Sequence, residues 1–284
     1  GFDQAAADAF AGRLLQIVND GMLCLMVSIG HRTGLFDALA AAPPLTSAQL
    51  AERAGLHERY VREWLGAMVT GQLVDYDPAT MTYTLPAERA AFLTRAAGID
   101  NIALQTQYIA LLGSVEDRIV ACFRAGGGVP YTAFGDFQRL MAEDSGTTFD
   151  AKLLTVTLPL VDGLTDRLRA GIDVADVGCG SGHALNLMAA AFPASRFTGY
   201  DFSDEGLGRG RAEAVQLGLA NVRFEPTDVA TLDVAARYDL ITTFDAIHDQ
   251  ARPALEMLAA AGFTQVDVRT VEGDIFNAYY IARP

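Results

Sequence analysis

One short segment concentrates residues that can hold a ligand: Asp176-Val177-Gly178-Cys179-Gly180-Ser181-Gly182. It closes a run with the pattern of a buried strand, Ile172-Asp173-Val174-Ala175-Asp176-Val177. Glycines directly after a strand let the backbone pass close to a ligand, and ligands of parallel α/β sheets bind beyond the carboxyl ends of the strands. The spacing selects among ligands. A dinucleotide fingerprint, G-x-G-x-x-G, needs glycine at 183, where this chain has His183, and the third glycine comes one position early as Gly182. A P-loop is excluded because no Gly-Lys-Ser/Thr follows. A tight strand-to-helix turn without any ligand is the plain alternative, but three glycines exceed what such a turn needs.

Four further residues stand at the ends of later strands or just after them. Asp201 ends Arg196–Asp201, and Asp228 follows Val222-Arg223-Phe224-Glu225 within Thr227-Asp228-Val229. Phe244 follows Tyr238–Thr243, and His248 sits in Asp245-Ala246-Ile247-His248-Asp249. Their plain readings are a helix N-cap for Asp201, a loop carboxylate for Asp228 and a loop histidine capping the next helix for His248. Imidazole, with a reference pKa near 6.5, also suits a general base. Cys179 reads as a small residue tolerated in the loop rather than as a reactive thiol.

The elements that must position these residues alternate strand and helix from Ile172 onward. Helices are expected from the glycine turn to about Phe192 and from about Glu205 to Leu217, then from Ala254 to Ala261. Two last strands are expected at Gln265–Val271 and Ala278–Ile281. Such alternation implies a doubly wound parallel sheet.

The Asp-x-Gly-x-Gly-x-Gly pattern resembles motif I of class I S-adenosylmethionine-dependent methyltransferases, and the later landmarks fall in register with that family. The resemblance covers residues 172–284, about 40% of the chain. It implies an α/β, Rossmann-like methyltransferase domain with S-adenosylmethionine as cofactor and S-adenosylhomocysteine as product. Asp176, Gly178, Cys179, Gly180 and Gly182 then line the cofactor. Asp201, with Phe202 beside it, holds the ribose hydroxyls, a task suited to a carboxylate because it can accept both protons. Asp228 and Val229 meet the adenine, and Phe244 lies near the methionine part. His248-Asp249 resembles the His-Asp pair of small-molecule O-methyltransferases, which makes His248 the base. Gln250 stands where that family usually has tryptophan.

The N-terminal part reads as a mainly helical winged helix-turn-helix module. Residues 3–29 form a helix apolar enough to require cover, by the rest of the fold or by a second subunit. Leu35–Leu39 is a short helix. Thr46 or Ser47 caps a helix ended by Gly55, and a helix from Glu58 to Thr70 ends at Gly71. Val74–Asp77 and Met81–Leu85 form a hairpin with an Asp-Pro turn. Small-molecule O-methyltransferases often carry such a domain for dimerisation, so the resemblance implies a homodimer. The alternative is a DNA-binding regulator whose α/β domain senses the cofactor. Between His31 and Arg95 stand six arginines (32, 53, 59, 62, 89, 95) and seven acids (37, 52, 58, 63, 75, 77, 88), a charge of −1. A DNA reader needs net attraction to phosphate, so DNA is not the expected partner.

The expected domains are 1–95, a helical linker or lid region over 96–168, and 169–284. Gly126-Gly127-Gly128-Val129-Pro130 precedes Tyr131, which either reaches the cofactor or substrate or belongs to a hinge. The family's sheet has seven strands and the pattern yields six. About ten residues separate Thr243 from Ala254, too few for a helix, a strand and a crossover. A segment is therefore expected to be missing near Pro253/Ala254.

The 284 residues carry 51% hydrophobic and 20% charged residues, which excludes global disorder. A net charge of −14 argues against binding to nucleic acid or to an anionic membrane. Only Lys152 among the 21 basic residues is a lysine. Cys24, Cys122 and Cys179 are too scattered for a disulfide framework or a metal site. They fit a reducing cytoplasm. The run Met22–Ile29 falls short of the ~20 residues of a membrane span.

Overall fold

A computed structural model describes residues 1–228, 237–244, 246, 254–271 and 278–283. The chain divides into two compact units, Gly1–Leu140 and Met141–Pro284.

The first unit opens with α1 (Gln4–Arg32), whose N-cap Asp3 accepts the N–H of Ala6. At 29 residues, α1 is long and apolar enough, by length and composition alone, to cross a membrane. Its last turns are instead built into the protein, with Val27, Ser28, Gly30 and His31 buried. Phe10, Leu15 and Met22 remain over 60% exposed. Then follow α2 (Leu35–Ala40), α3 (Ser47–Ala54) and α4 (Glu58–Thr70). Thr46 caps α3 in a capping box with Gln49, and Gly55 ends it at φ +66°. Helix α4 buries Val61, Trp64, Leu65 and Met68 on one face. The Trp64 ring meets Phe36 edge-on at 5.1 Å, and its Nε1–H donates to the Met26 carbonyl across 2.9 Å. Strands β1 (Asp75–Asp77) and β2 (Thr82–Thr84) pair antiparallel, and Leu45 adds a bridge to Tyr83. This is the wing. The unit continues with α5 (Ala87–Leu93), α6 (Ile102–Gln105), α7 (Gln107–Gly113) and α8 (Glu116–Ala125). The division between the units falls inside α9 (Phe137–Thr148).

The second unit takes in the end of α9 and continues with a π-helical segment, Phe149–Thr157, and α10 (Leu164–Ala170). It then alternates β3 (Asp173–Val177), α11 (His183–Ala191), β4 (Arg196–Asp201), α12 (Asp204–Gln216), β5 (Val222–Pro226) and β6 (Leu240–Thr242). These strands form one parallel sheet in the order β5-β4-β3-β6. The first strand therefore has neighbours on both sides, and the order reverses beside it. Its core gathers Leu153, Leu168, Val174, Leu185, Met188, Phe197, Leu207 and Phe224. Asn221 fastens the end of α11 by donating to the carbonyls of Ala189, Phe192 and Ser195. After α13 (Ala254–Ala260), strands β7 (Gln265–Arg269) and β8 (Tyr279–Arg283) pair antiparallel with each other. Among the described residues no strand joins this ribbon to β6. Pro253, where a missing segment is expected, lies outside the described residues.

Candidate functional site

The chain leaves β3 at Val177 and turns over the carboxyl end of the sheet, where the order reverses. That is where open α/β sheets hold their ligands. Gly178, Gly180 and Gly182 all take positive φ, +73°, +54° and +68°. Their surroundings differ. A Cβ on Gly178 would sit 2.6 Å from that of Ala246, and one on Gly182 would overlap the Phe224 ring. A Cβ on Gly180 would meet no atom within 4 Å, so it would project into open space at the mouth of the loop.

Backbone bonds fix this loop against β4. The N–H groups of Gly178 and Cys179 both donate to the Tyr200 carbonyl, at 2.8 and 3.1 Å. The N–H of Gly180 donates to Oδ2 of Asp201 at 2.8 Å. The other oxygen of Asp201 accepts the N–H of Ser203, also at 2.8 Å. An ionised carboxylate has about four acceptor positions, so the bonds made among the described residues use two of them. Thr227 donates its N–H to the Asp201 carbonyl at 2.8 Å, which sets the exposed Asp228 next along the adjoining strand end. Phe202, beside Asp201, is exposed.

Asp176 is buried behind the loop and accepts a hydrogen bond from Thr242 Oγ1 at 2.8 Å. Burial, with a further contribution from the charge of Asp201, pushes its pKa up to about 7 despite that bond. Burial, with Asp176 and Asp201 nearby, also pushes the Cys179 thiol far up, so it is no nucleophile at neutral pH. Phe244 packs its ring against Phe149 at 5.3 Å. Tyr131 belongs to the first unit, where its ring lies 5.3 Å from that of Phe137. Val229 and His248 lie outside the described residues. Among the described residues no cluster of His, Cys, Asp and Glu could hold a metal ion.

The second unit thus brings Asp176, the glycines, Asp201 and Asp228 to one end of the sheet. It also shows two partners that sequence reasoning missed. The first is Phe224, whose ring sits where a side chain on Gly182 or Gly199 would collide with it and one on Gly210 would press tightly against it. Three glycines on three elements were the available signal, and only the fold connects them. The second is His183, which bridges Glu213 (Nδ1, 2.6 Å) and Asp150 (Nε2, 3.0 Å). In the sequence it served only to exclude a dinucleotide fingerprint.

Comparison with known proteins agrees with the fold of both units. Residues 21–95 match the model of an Rv2258c-like winged HTH domain, and residues 168–269 match that of a methyltransferase domain. Among curated proteins, trans-aconitate 2-methyltransferase of Streptomyces avermitilis is 38% identical over 71 residues, 25% of this chain and 26% of that protein. The match thus spans about a quarter of that relative's length. Human N-acetylserotonin methyltransferase, solved in complex with SAM, superposes with a TM-score of 0.64 at 17% identity, over all of this chain and 98% of the other. The mitomycin 7-O-methyltransferase MmcR gives 0.62 at 18% identity, over 87% and 74%. These likenesses establish the fold: a winged helix-turn-helix domain ahead of a class I methyltransferase sheet.

Proposed function

We propose that this chain, which carries a winged helix-turn-helix domain followed by a methyltransferase domain, is an S-adenosylmethionine-dependent methyltransferase acting on a hydroxyl of a small molecule. One observation carries the reading: the 2.8 Å bond from the Gly180 N–H to the Asp201 carboxylate, made inside a loop that is open above Gly180. The residues present fit the cofactor. The open side of Gly180 is a cradle that any Cβ would fill, and the remaining acceptor positions of Asp201 suit a vicinal diol. When bound, the cofactor supplies an electrophilic methyl on a sulfonium.

The chain's own residues bind and align. Asp201 takes the two ribose hydroxyls, with Phe202 flanking it. Asp228 and Val229 face the adenine. Gly178, Cys179, Gly180 and Gly182 give a wall without bulk. Asp176 offers a buried carboxylate that a nearby cation would drive toward its ionised form. Phe244 bounds the methionine end and excludes water from it. His248 takes the acceptor's proton, a role worth ~10²–10⁴-fold in rate. A second copy of the chain covers the apolar face of α1, and the three free cysteines suit the cytoplasm. The S-adenosylmethionine reading has more support than a DNA-binding one, because the module between His31 and Arg95 has no positive excess.

The test is calorimetry with S-adenosylhomocysteine. Micromolar binding that Asp201→Ala weakens by tenfold or more supports the site; no binding by folded wild type refutes it. His248→Ala should lower turnover and leave cofactor affinity nearly unchanged. A large loss of affinity with unchanged turnover would remove the base.

A further inference from the structure

We propose that His183 is a positioning residue for cofactor binding: as an imidazolium shared by Asp150 and Glu213, it pins the Phe149–Thr157 segment beside the glycine-rich loop. This rests on the reading of that loop as the S-adenosylmethionine site.

The geometry joins three elements at one ring. His183 is the first residue of α11, directly after Gly182. Its Nδ1 lies 2.6 Å from Oε1 of Glu213 on α12, and its Nε2 lies 3.0 Å from Oδ1 of Asp150 on the π-helical segment. Glu213 is itself held, because Asn186 Nδ2 donates to its other oxygen at 2.8 Å. Phe149, adjacent to Asp150, packs on Phe244 just beyond β6. Neighbouring residues of one segment therefore touch both flanks of the loop, the start of α11 and the end of β6. The segment's Leu153 is buried in the sheet's core, so its position is coupled to the core as well. π-Helical turns are rare and concentrate at functional sites, where tertiary contacts must hold them.

The bridge as built has two acceptors and one ring. A neutral imidazole has a single N–H, so one contact would then set a nitrogen lone pair against a carboxylate oxygen. Both bonds are made together only by the protonated ring. The charged groups that act on it are Asp150 from the π-helical segment and Glu213 from α12, and Gly146 of α9 lies close to the ring. Burial works against the charged ring, and the two carboxylate bonds outweigh it, so its pKa lies above the ordinary histidine value. The side chain of Asp150 is 65% exposed and that of Glu213 is 29% exposed. On deprotonation the longer, wetter Asp150 arm lets go, and the segment is released while α11 stays on α12.

The test measures hydrogen-exchange protection factors of amides 149–157 in cofactor-free protein, and S-adenosylhomocysteine affinity by calorimetry, both from pH 5.5 to 8.5. In wild type both should fall together as pH rises through the histidine's pKa, affinity by about tenfold, the worth of one charge-assisted hydrogen bond. Asp150→Asn is the informative variant. Its side-chain amide can donate to neutral Nε2 while Nδ1–H donates to Glu213, so protection should persist at high pH and lose its step. His183→Gln should bind weakly at every pH. Titration of Asp176 is common to all three proteins and cancels in the comparison. Wild-type pH profiles in both variants, or no step in wild-type protection, would overturn the proposal. So would wild-type affinity in His183→Gln, with the site reading left standing. No binding by wild type at any pH would sink the site reading, and the positioning role with it.

Discussion

Asp201 spends one carboxylate oxygen on each of two neighbouring turns: Oδ2 on the N–H of Gly180 and Oδ1 on the N–H of Ser203, both at 2.8 Å. The same carboxylate therefore shapes the loop, and on the proposed reading its remaining acceptor positions take the ligand. Asp201→Asn keeps the size but turns one acceptor into a donor, so one of these N–H bonds is lost. Affinity for S-adenosylhomocysteine should drop at least tenfold, about 1.4 kcal/mol, read by calorimetry. Unchanged affinity in a variant that still melts like wild type would clear Asp201 of any binding role.

Gly180 and Gly182 should separate binding from stability. Gly182→Ala places a methyl into the Phe224 ring at φ +68°. The left-handed backbone and the overpacking together should cost roughly 2–5 kcal/mol. Phe224→Leu added to it should recover part of that loss in denaturant titration. Gly180→Ala meets no neighbour, so it should cost only about 1–2 kcal/mol for the backbone. That methyl sits where the cofactor would approach, so the variant should fold and bind S-adenosylhomocysteine at least tenfold more weakly. Near-native affinity in Gly180→Ala would contradict the site.

Asp176 sets a pH dependence of stability. Its pKa in the fold, about 7, lies above the ordinary carboxylate value of 3.8. Below the lower value both folded and unfolded states are protonated, and no cost arises. Between the two values the unfolded chain ionises while the folded one resists, so this group's contribution becomes steadily less favourable as pH rises. Above about 7 the loss is complete and constant. Asp176→Asn removes the titration and can still accept the Thr242 bond. Its melting temperature relative to wild type should therefore climb from pH 4 to pH 7 and then level off. A difference independent of pH would mean that Asp176 ionises normally.

The winged helix should leave DNA alone. Arg62 on α4 faces Glu58 at 3.8 Å, and Trp64 is buried rather than available for stacking. At 50 mM salt, 10 μM protein should leave the fluorescence anisotropy of a labelled 30-base-pair duplex unchanged. Non-specific binders typically reach Kd values of about 10⁻⁴–10⁻⁶ M even at physiological salt. A salt-sensitive rise would restore the regulatory reading.

The local signals survived folding well. Thr46, Gly55 and the Asp77-Pro78 turn mark the winged helix because capping and turn chemistry act over a few residues. The parallel sheet follows from buried-strand runs separated by helices, and the loop glycines follow from one strand end. What escaped was long-range side-chain contact. Nothing local ties Phe224 to Gly182, Gly199 and Gly210, which lie up to 42 residues away. Asp150 and His183 lie 33 residues apart, and Asp176 and Thr242 lie 66 apart. That, among the described residues, no strand joins the β7–β8 ribbon to β6 was equally silent, because strand patterns say which face is apolar but not which edge is paired.

Helix α1 leaves a stripe of large apolar side chains, Phe10, Leu14, Val18 and Met22, in contact with solvent along its outer length. Whatever covers that stripe binds the folded chain and not the unfolded one, so mass action enters the folding equilibrium. If the cover is another copy, the melting temperature becomes a function of protein concentration, and dilution in an assay is itself a mild denaturant. A thermal midpoint for this protein then has meaning only beside the micromolarity at which it was recorded.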